Sequence, residues 1–429
     1  MAPLESTLFN FSLKSKESKK LSSDSIKILE EIMKNKNNQD SPLSFLGLPE
    51  NKSLIEKTKE LVEKKQELHP ECILVIGIGG SNLGTMALKD ALLGSLYNYL
   101  VMPRKILFLD SLEPGYLNDL LSIIENLLRA KSRILINIVT KSGNTIETAG
   151  NAEVVIGLLK KYIKRYKKFI VVTTEKDNKL WNKCLSEGID LLEIPKKISG
   201  RFSVFSPVGL FPLGMLGIDL GELLKGAKES NKDALNSSVE KNLPLSSAVL
   251  HYSLYKKKHN IAENLFFVRD FESIGKWNRQ LIAESLGKNS KGITPSYSTG
   301  PVDLHSMSQL YFEGPKDKII SLIRVKKPDA KITIPKKGNL FQESLIRGKK
   351  VDSITDALID GTKNVLSNKK TPFIEIKLKE RSERALGFYF QSKMIETVLI
   401  GKFMNVNPFD QPSVELYKKE ARDIILDGK

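Results

Sequence analysis

Between residues 72 and 194 the chain alternates short, almost wholly apolar runs with segments of helical length, and few folds accommodate that pattern. The runs Ile73–Ile76, Ile106–Leu109, Ile134–Val139, Phe169–Val172 and Leu191–Ile194 contain no regular polar positions. A strand of this kind is buried on both faces. The intervening stretches Leu83–Leu93, Tyr116–Lys131 and Thr145–Tyr166 carry helical periodicity, so the unit is a series of βαβ crossovers making a doubly wound parallel sheet. Ligands of such sheets sit beyond the carboxyl ends of the strands.

A second series follows, with strands expected at Leu265–Val268, Ile319–Val325, Ile332–Ile334 and Phe373–Ile376 and helices at Trp277–Leu286, Val351–Leu366 and Arg384–Phe403. At 429 residues the chain exceeds what one core usually organises, so two α/β domains are expected. The division reads as a helical arm over 1–52, a first α/β domain over 53–220, a second over 221–410 and a terminal helix over 411–429. Ser53 and Glu56 have capping-box spacing and begin the helix that leads into the first strand.

The net charge of +17 admits a nucleic-acid binder, a membrane-surface protein or an enzyme of anionic substrates. Lysines are scattered with carboxylates between them, which argues against a nucleic-acid groove. No apolar run approaches the roughly 20 residues of a membrane span. Met1–Lys20 lacks the apolar core of a signal peptide, and a cytoplasmic location is expected. Cys72 opens an apolar run and reads as a buried small hydrophobe. Metal-ligand spacings of the H-E-x-x-H or C-x-x-C kind do not occur, so neither metal nor cofactor is expected.

Six segments carry candidate chemistry. Gly77-Ile-Gly-Gly-Ser-Asn-Leu-Gly84 stands where a strand ends and a helix starts, and its glycines allow the main chain to approach an anion at the helix N-terminus. It matches neither the dinucleotide fingerprint, which would need glycine at Asn82, nor the Walker loop, which would need lysine at Thr85. Thr140-Lys-Ser-Gly-Asn-Thr145 repeats the arrangement after a later strand, with three hydroxyls and a lysine within six residues. A helix cap needs one such residue, so the surplus points to the oxygens of a phosphomonoester.

Ser199-Gly-Arg-Phe-Ser offers Arg201, a fixed cation suited to an enediolate, although loop arginines are common on surfaces. In Gln280-Leu-Ile-Ala-Glu-Ser-Leu-Gly-Lys288, Gln280 and Glu284 share a helical face, and a carboxylate removed from water can serve as a base for carbon acids. His305, in Asp303-Leu-His-Ser306, is one of four histidines, and imidazole suits the opening of a sugar ring near neutral pH. Lys418 follows Val414 by four and Glu415 by three positions on the terminal helix, a spacing that allows it to point inward, although exposure is the default for a lysine.

In this order, across residues 72–420, the segments G-I-G-G-S-N-L-G, T-K-S-G-N-T-I-E-T, G-R-F-S-V-F-S, A-E-S-L-G-K, D-L-H-S and F-D-Q-P-S-V-E-L-Y-K closely resemble the glucose-6-phosphate isomerase (phosphoglucose isomerase) family, bacterial branch. The resemblance implies two sugar-isomerase α/β sandwiches and an aldose–ketose isomerase of glycolysis and gluconeogenesis. It implies that Ser81, Thr140, Ser142, Thr145 and the backbone at Lys141 hold a sugar phosphate. Glu284 is then the base passing a proton between C2 and C1 through a cis-enediol, and Arg201 stabilises the enediolate. Gly79, Gly80, Gln280 and Gln411 line the sugar, while His305 and Lys418 form the ring-opening pair, the histidine arriving from the partner subunit of a homodimer. Ser413 stands where the family commonly has glycine.

Two other readings share parts of this pattern. An isomerase of an amino sugar phosphate would use the same cradles without needing Glu284 and Lys418 together. A sugar-phosphate-sensing regulator would need a DNA-binding module, for which the polar segment 1–52 is poorly suited.

Overall fold

The structure, a computed structural model, describes residues 2–338, 340 and 344–427. Its strands in chain order are β1 (Leu4–Phe9), β2 (Cys72–Ile76), β3 (Lys105–Leu109), β4 (Ile134–Val139), β5 (Ile170–Thr174), β6 (Asp190–Glu193), β7 (Ile261–Phe266), β8 (Thr294–Thr299), β9 (Lys318–Val325) and β10 (Phe373–Leu378). They build two sheets.

The first sheet has the order β3-β2-β4-β5-β6 and every pair in it is parallel. β2, β4 and β5 are buried along their whole length, in keeping with their mainly apolar runs, and the burial takes in Asn137, Thr173 and Thr174. Successive connections leave β2 in opposite directions, so a crevice opens beyond the carboxyl ends of β2 and β4. The Gly77 and Thr140 loops occupy that crevice. Both cysteines are buried and free, and burial pushes the Cys72 thiol up to about 12, which leaves it an inert core residue.

The second sheet runs β1-β10-β9-β7-β8, parallel except for β1, which pairs antiparallel with β10 from Leu4↔Leu378 to Phe9↔Phe373. The segment 1–52, expected as a helical arm, therefore supplies a strand as well as the helix Lys16–Lys34. β8 also differs from expectation. Its sequence, Thr-Pro-Ser-Tyr-Ser-Thr, contains a proline and four hydroxyl residues besides its tyrosine, a composition tolerated because β8 is an edge strand. Conversely, Ile332–Ile334 forms only an isolated bridge through Thr333, and Ile332 is exposed.

Between the two sheets lies a layer of helices that forms the largest hydrophobic cluster. Helix Glu383–Phe403 is buried at every position from Ala385 to Gly401. It meets helix Leu220–Asp233 backbone to backbone, because a Cβ at Gly226 would lie 1.9 Å from the Arg384 carbonyl oxygen, and one at Gly387 would lie 1.9 Å from that of Leu223. Against this layer, helix Leu83–Leu93 of the first unit packs on helix Glu272–Leu286 of the second. The amino end of the former and the carboxyl end of the latter thus meet across the two units. No helix among the described residues is long and apolar enough to cross a membrane.

Candidate active site

The Gly77 loop is the hub of the site, and sterics explain its composition. Gly79 adopts a left-handed φ of +59°, and a Cβ there would lie 2.9 Å from Nε2 of Gln280. At Gly80 a Cβ would lie 2.2 Å from the carbonyl carbon of Gly200 and 2.6 Å from the Arg201 nitrogen. At Gly77 it would meet the Ser81 Cβ at 2.9 Å and the Val139 carbonyl oxygen at 3.0 Å. One glycine run therefore packs against the end of β4 just before Thr140, the Arg201 connector and the Glu284 helix.

The Thr140 loop is braced from beneath. The Thr140 N–H donates to the Thr173 carbonyl at 3.0 Å, and the Lys141 carbonyl accepts from the Thr174 hydroxyl and the Asn178 amide, each at 3.2 Å. Thr140 Oγ1 lies 3.4 Å from Thr145 Oγ1, and Ser142 Oγ accepts from the Asn144 N–H at 3.2 Å. Thr145 is the N-cap of helix Ile146–Tyr162 but makes no capping bond with its side chain, so its hydroxyl and the helix N-terminus can serve an anion. Burial pulls the Lys141 ammonium below its ordinary value, opposed by Glu175.

Arg201 lies at the junction with its side chain only 1 % exposed. Its Nε donates to Ser285 Oγ at 2.8 Å, Nη1 to Glu284 Oε2 and Gln411 Oε1 at 2.9 Å each, and Nη2 to the carbonyls of Pro408 at 2.7 Å and Asp410 at 3.0 Å. Burial pulls the guanidinium below its usual value, while Glu284 and Asp410 act in the opposite sense. The other oxygen of Glu284 accepts from Gln280 Nε2 at 3.0 Å. The carboxylate, 30 % exposed, is thereby fixed by a cation on one side and an amide on the other, with one face left open.

Gly79, Gly80, Arg201, Gln280, Glu284 and Gln411 thus form one connected cluster, and in the same loop Gly77 packs against Ser81 and against Val139, the residue that precedes the Thr140 loop. The chain does not bring His305 or Lys418 into it. His305 is exposed on helix Leu304–Glu313, and its side chain makes no hydrogen bond or ion pair among the described residues. Lys418, which its spacing would allow to point inward, takes the commoner exposed course: it pairs with Glu415 at 2.9 Å and is 40 % exposed on helix Pro412–Leu426, which buries no residue. That helix is held at its start through Gln411 and further along by Arg422, whose Nη2 donates to the Asn144 carbonyl at 2.9 Å.

Ser285, Lys288, Asp410 and Arg422 escaped the reading of the sequence. Three of them act on or through main-chain carbonyls, which leave no mark on residue type. Only the i, i+4 spacing of Lys288 from Glu284 could have suggested a bond to the end of the helix.

The site joins a hydrogen-bonded carboxylate, a buried guanidinium and two donor-rich βα turns of the first sheet, and comparison with known proteins identifies the class as isomerases of sugar phosphates. A family model described as phosphoglucose isomerase matches residues 61–428. The chain is 33 % identical over 428 residues to a probable glucose-6-phosphate isomerase of Methanococcus maripaludis, covering 99 % of this chain and 93 % of that protein. It is 34 % identical over 395 residues to a glucose-6-phosphate isomerase of Thermus thermophilus, covering 89 % and 90 %. Among solved structures, a hypothetical protein of Thermus thermophilus matches with a TM-score of 0.86 at 30 % identity, covering 98 % and 99 % of the two chains. A glucose-6-phosphate isomerase from Chlamydia trachomatis shares the fold, with a TM-score of 0.74 at 22 % identity over 87 % of this chain and 73 % of that one. This chain belongs to the phosphoglucose isomerase family.

Proposed function

We infer that this chain interconverts glucose 6-phosphate and fructose 6-phosphate, the activity of its family, and that the clustered residues divide the work as follows. Ser81, Thr140, Ser142 and Thr145, with the backbone at Lys141, grip the phosphate. Pinning one end of the substrate lets binding energy hold C1 and C2 against the base. Gly79, Gly80, Gln280 and Gln411 line the sugar chain. Glu284 takes the C2 proton of open-chain glucose 6-phosphate and returns it to C1. The negative charge that develops on the intervening cis-enediolate is balanced by Arg201, a fixed cation shielded from water.

The observation that carries this reading is the clamp on Glu284, with Arg201 at 2.9 Å and Gln280 at 3.0 Å. A solvent-facing glutamate has no need of two fixed donors. Ring opening is assigned to His305 and Lys418. Like the histidine of its family, His305 is read as completing the partner's site across the interface of a homodimer, a reading supported by its exposure and by the lack of any link to the cluster among the described residues. A cytoplasmic location belongs to the same reading, as does the division into 1–52, 53–220, 221–410 and 411–429, with β1 joining the second sheet.

The test is a coupled assay of fructose 6-phosphate conversion without added metal, run beside Glu284→Gln. Isomerisation by the wild type, with loss of turnover and of solvent exchange at C2 in the variant, is expected. Wild-type turnover in Glu284→Gln removes Glu284 as the base.

A further inference from the structure

The A-E-S-L-G-K segment holds one residue to which the mechanism above gives no task. Lys288 follows the end of helix Glu272–Leu286, in whose last turn Glu284 lies. The last carbonyls of a helix have no intrahelical partner. Lys288 Nζ donates to two of them, those of Glu284 and Ser285, at 2.9 Å each. From the same position it faces Asp410 Oδ1 at 3.4 Å, and its side chain is only 10 % exposed. The other oxygen of Asp410 accepts from Asn407 Nδ2 at 2.8 Å, so the carboxylate is already oriented when Lys288 meets it.

Segment 408–411 is consequently gripped from two sides. Arg201 binds its main chain at Pro408 and Asp410 and its side chain at Gln411, whereas Lys288 binds the Asp410 carboxylate. The two grips originate at different places: Arg201 on the connector between the units, Lys288 just beyond the end of the helix of the base. Arg201 already ties the segment to that helix through Glu284 and Ser285. Lys288 adds a second tie, at the main-chain end of the helix. Burial pulls the Lys288 ammonium below its ordinary value, with neighbouring Arg201 adding to the effect and Asp410 opposing it, consistent with a cation placed for structure at some electrostatic cost.

We propose that Lys288 is a positioning residue of the isomerase, locking the carboxyl end of the catalytic helix to segment 408–411 so that Gln411, and the helix carrying Lys418 behind it, stand in fixed register with Glu284. The inference rests on the assignment of Glu284 as the base. Lys288 touches main-chain carbonyls and Asp410, not the phosphate cradle, so its loss disturbs the proton-transfer geometry rather than the grip on the phosphate. A misplacement of about 1 Å near a reacting centre can cost on the order of 10²-fold in rate.

The experiment compares Lys288→Met, Lys288→Arg, Asp410→Ala and Glu284→Gln in the fructose 6-phosphate assay, with inorganic phosphate as a competing probe of the cradle. Lys288→Met is expected to lose about 10- to 100-fold in kcat. Its KM and the inhibition constant of phosphate should stay within about twofold of wild type, as for an interaction outside substrate binding. Lys288→Arg should recover part of the rate, and Lys288→Met/Asp410→Ala should be no slower than the worse single variant, because both break one link. A wild-type kcat in folded Lys288→Met, or equal losses in kcat and phosphate affinity, overturns the proposal. Should Lys288→Met fail to fold, Asp410→Ala decides in its place, since that carboxylate is half exposed. If Glu284→Gln remains active the assignment of the base fails; if it is inactive while Lys288→Met and Asp410→Ala turn over normally, only the role of Lys288 fails.

Discussion

Arg201 and Lys418 are cations assigned to one reaction, and their surroundings could hardly differ more. Arg201 is buried and makes five hydrogen bonds to acceptors drawn from the Glu284 helix and segment 408–411. Lys418 rides on a helix without a buried residue and bonds only a neighbour one turn away. A charge that must await the developing enediolate gains from being fixed beforehand, because no reorganisation is then needed during the reaction. Lys418 is instead open to solvent, where a cyclic sugar can reach it. The contrast between buried centre and exposed periphery organises the expected behaviour of variants.

The largest effect should come at the centre. Glu284→Gln is expected to lower kcat by on the order of 10²- to 10⁴-fold, the range for loss of a general base. Deuterium wash-in at C2 should stop while inorganic phosphate still competes. Gly80→Ala tests the hub next, since its Cβ would stand 2.2 Å from the Gly200 carbonyl carbon and displace the Arg201 connector. A destabilisation of about 1–3 kcal/mol in urea unfolding is expected, the usual cost of overpacking, together with a loss of kcat/KM. Unchanged stability and activity would mean that the centre is not rigidly built.

Smaller effects belong to the periphery. Lys418→Ala and His305→Ala should slow turnover of cyclic substrate by about 10- to 100-fold, at or just below the usual range for a general acid–base group. Turnover of an open-chain form should suffer less, and the thermal midpoint should not move. A midpoint shift in either would show that these groups are anchored after all. Least affected should be the stability of Ile424→Ser, whose side chain is 54 % exposed; its unfolding free energy should stay within about 0.5 kcal/mol of wild type.

The first sheet was legible in the sequence because its three central strands are buried on both faces, which favours mainly apolar runs. The second was legible only in part. β1 and β8 are edge strands rich in polar residues and so gave no apolar run to read, while Ile332–Ile334 pairs, among the described residues, only with the short segment 348–351 through an isolated bridge. The Gly77 and Thr140 loops announced themselves through glycines and surplus hydroxyls. Arg201 did not, since a loop arginine looks alike whether it faces solvent or five acceptors; its role came from the family resemblance. The bonds of Lys288 and Arg422 to main-chain oxygens are made by the folded backbone and have no counterpart in residue identity.

The pairing of β1 with β10 bears on how the protein can be handled. Leu4–Phe9 covers the open margin of β10, and Phe9 stacks on Phe373 with ring centres 4.5 Å apart. Without this guard strand, the amide and carbonyl row of Phe373–Leu378 would be a free template for another chain. A fusion or trimming that pulls the leading residues away would therefore turn the enzyme toward stickiness and precipitation, with its catalytic groups untouched.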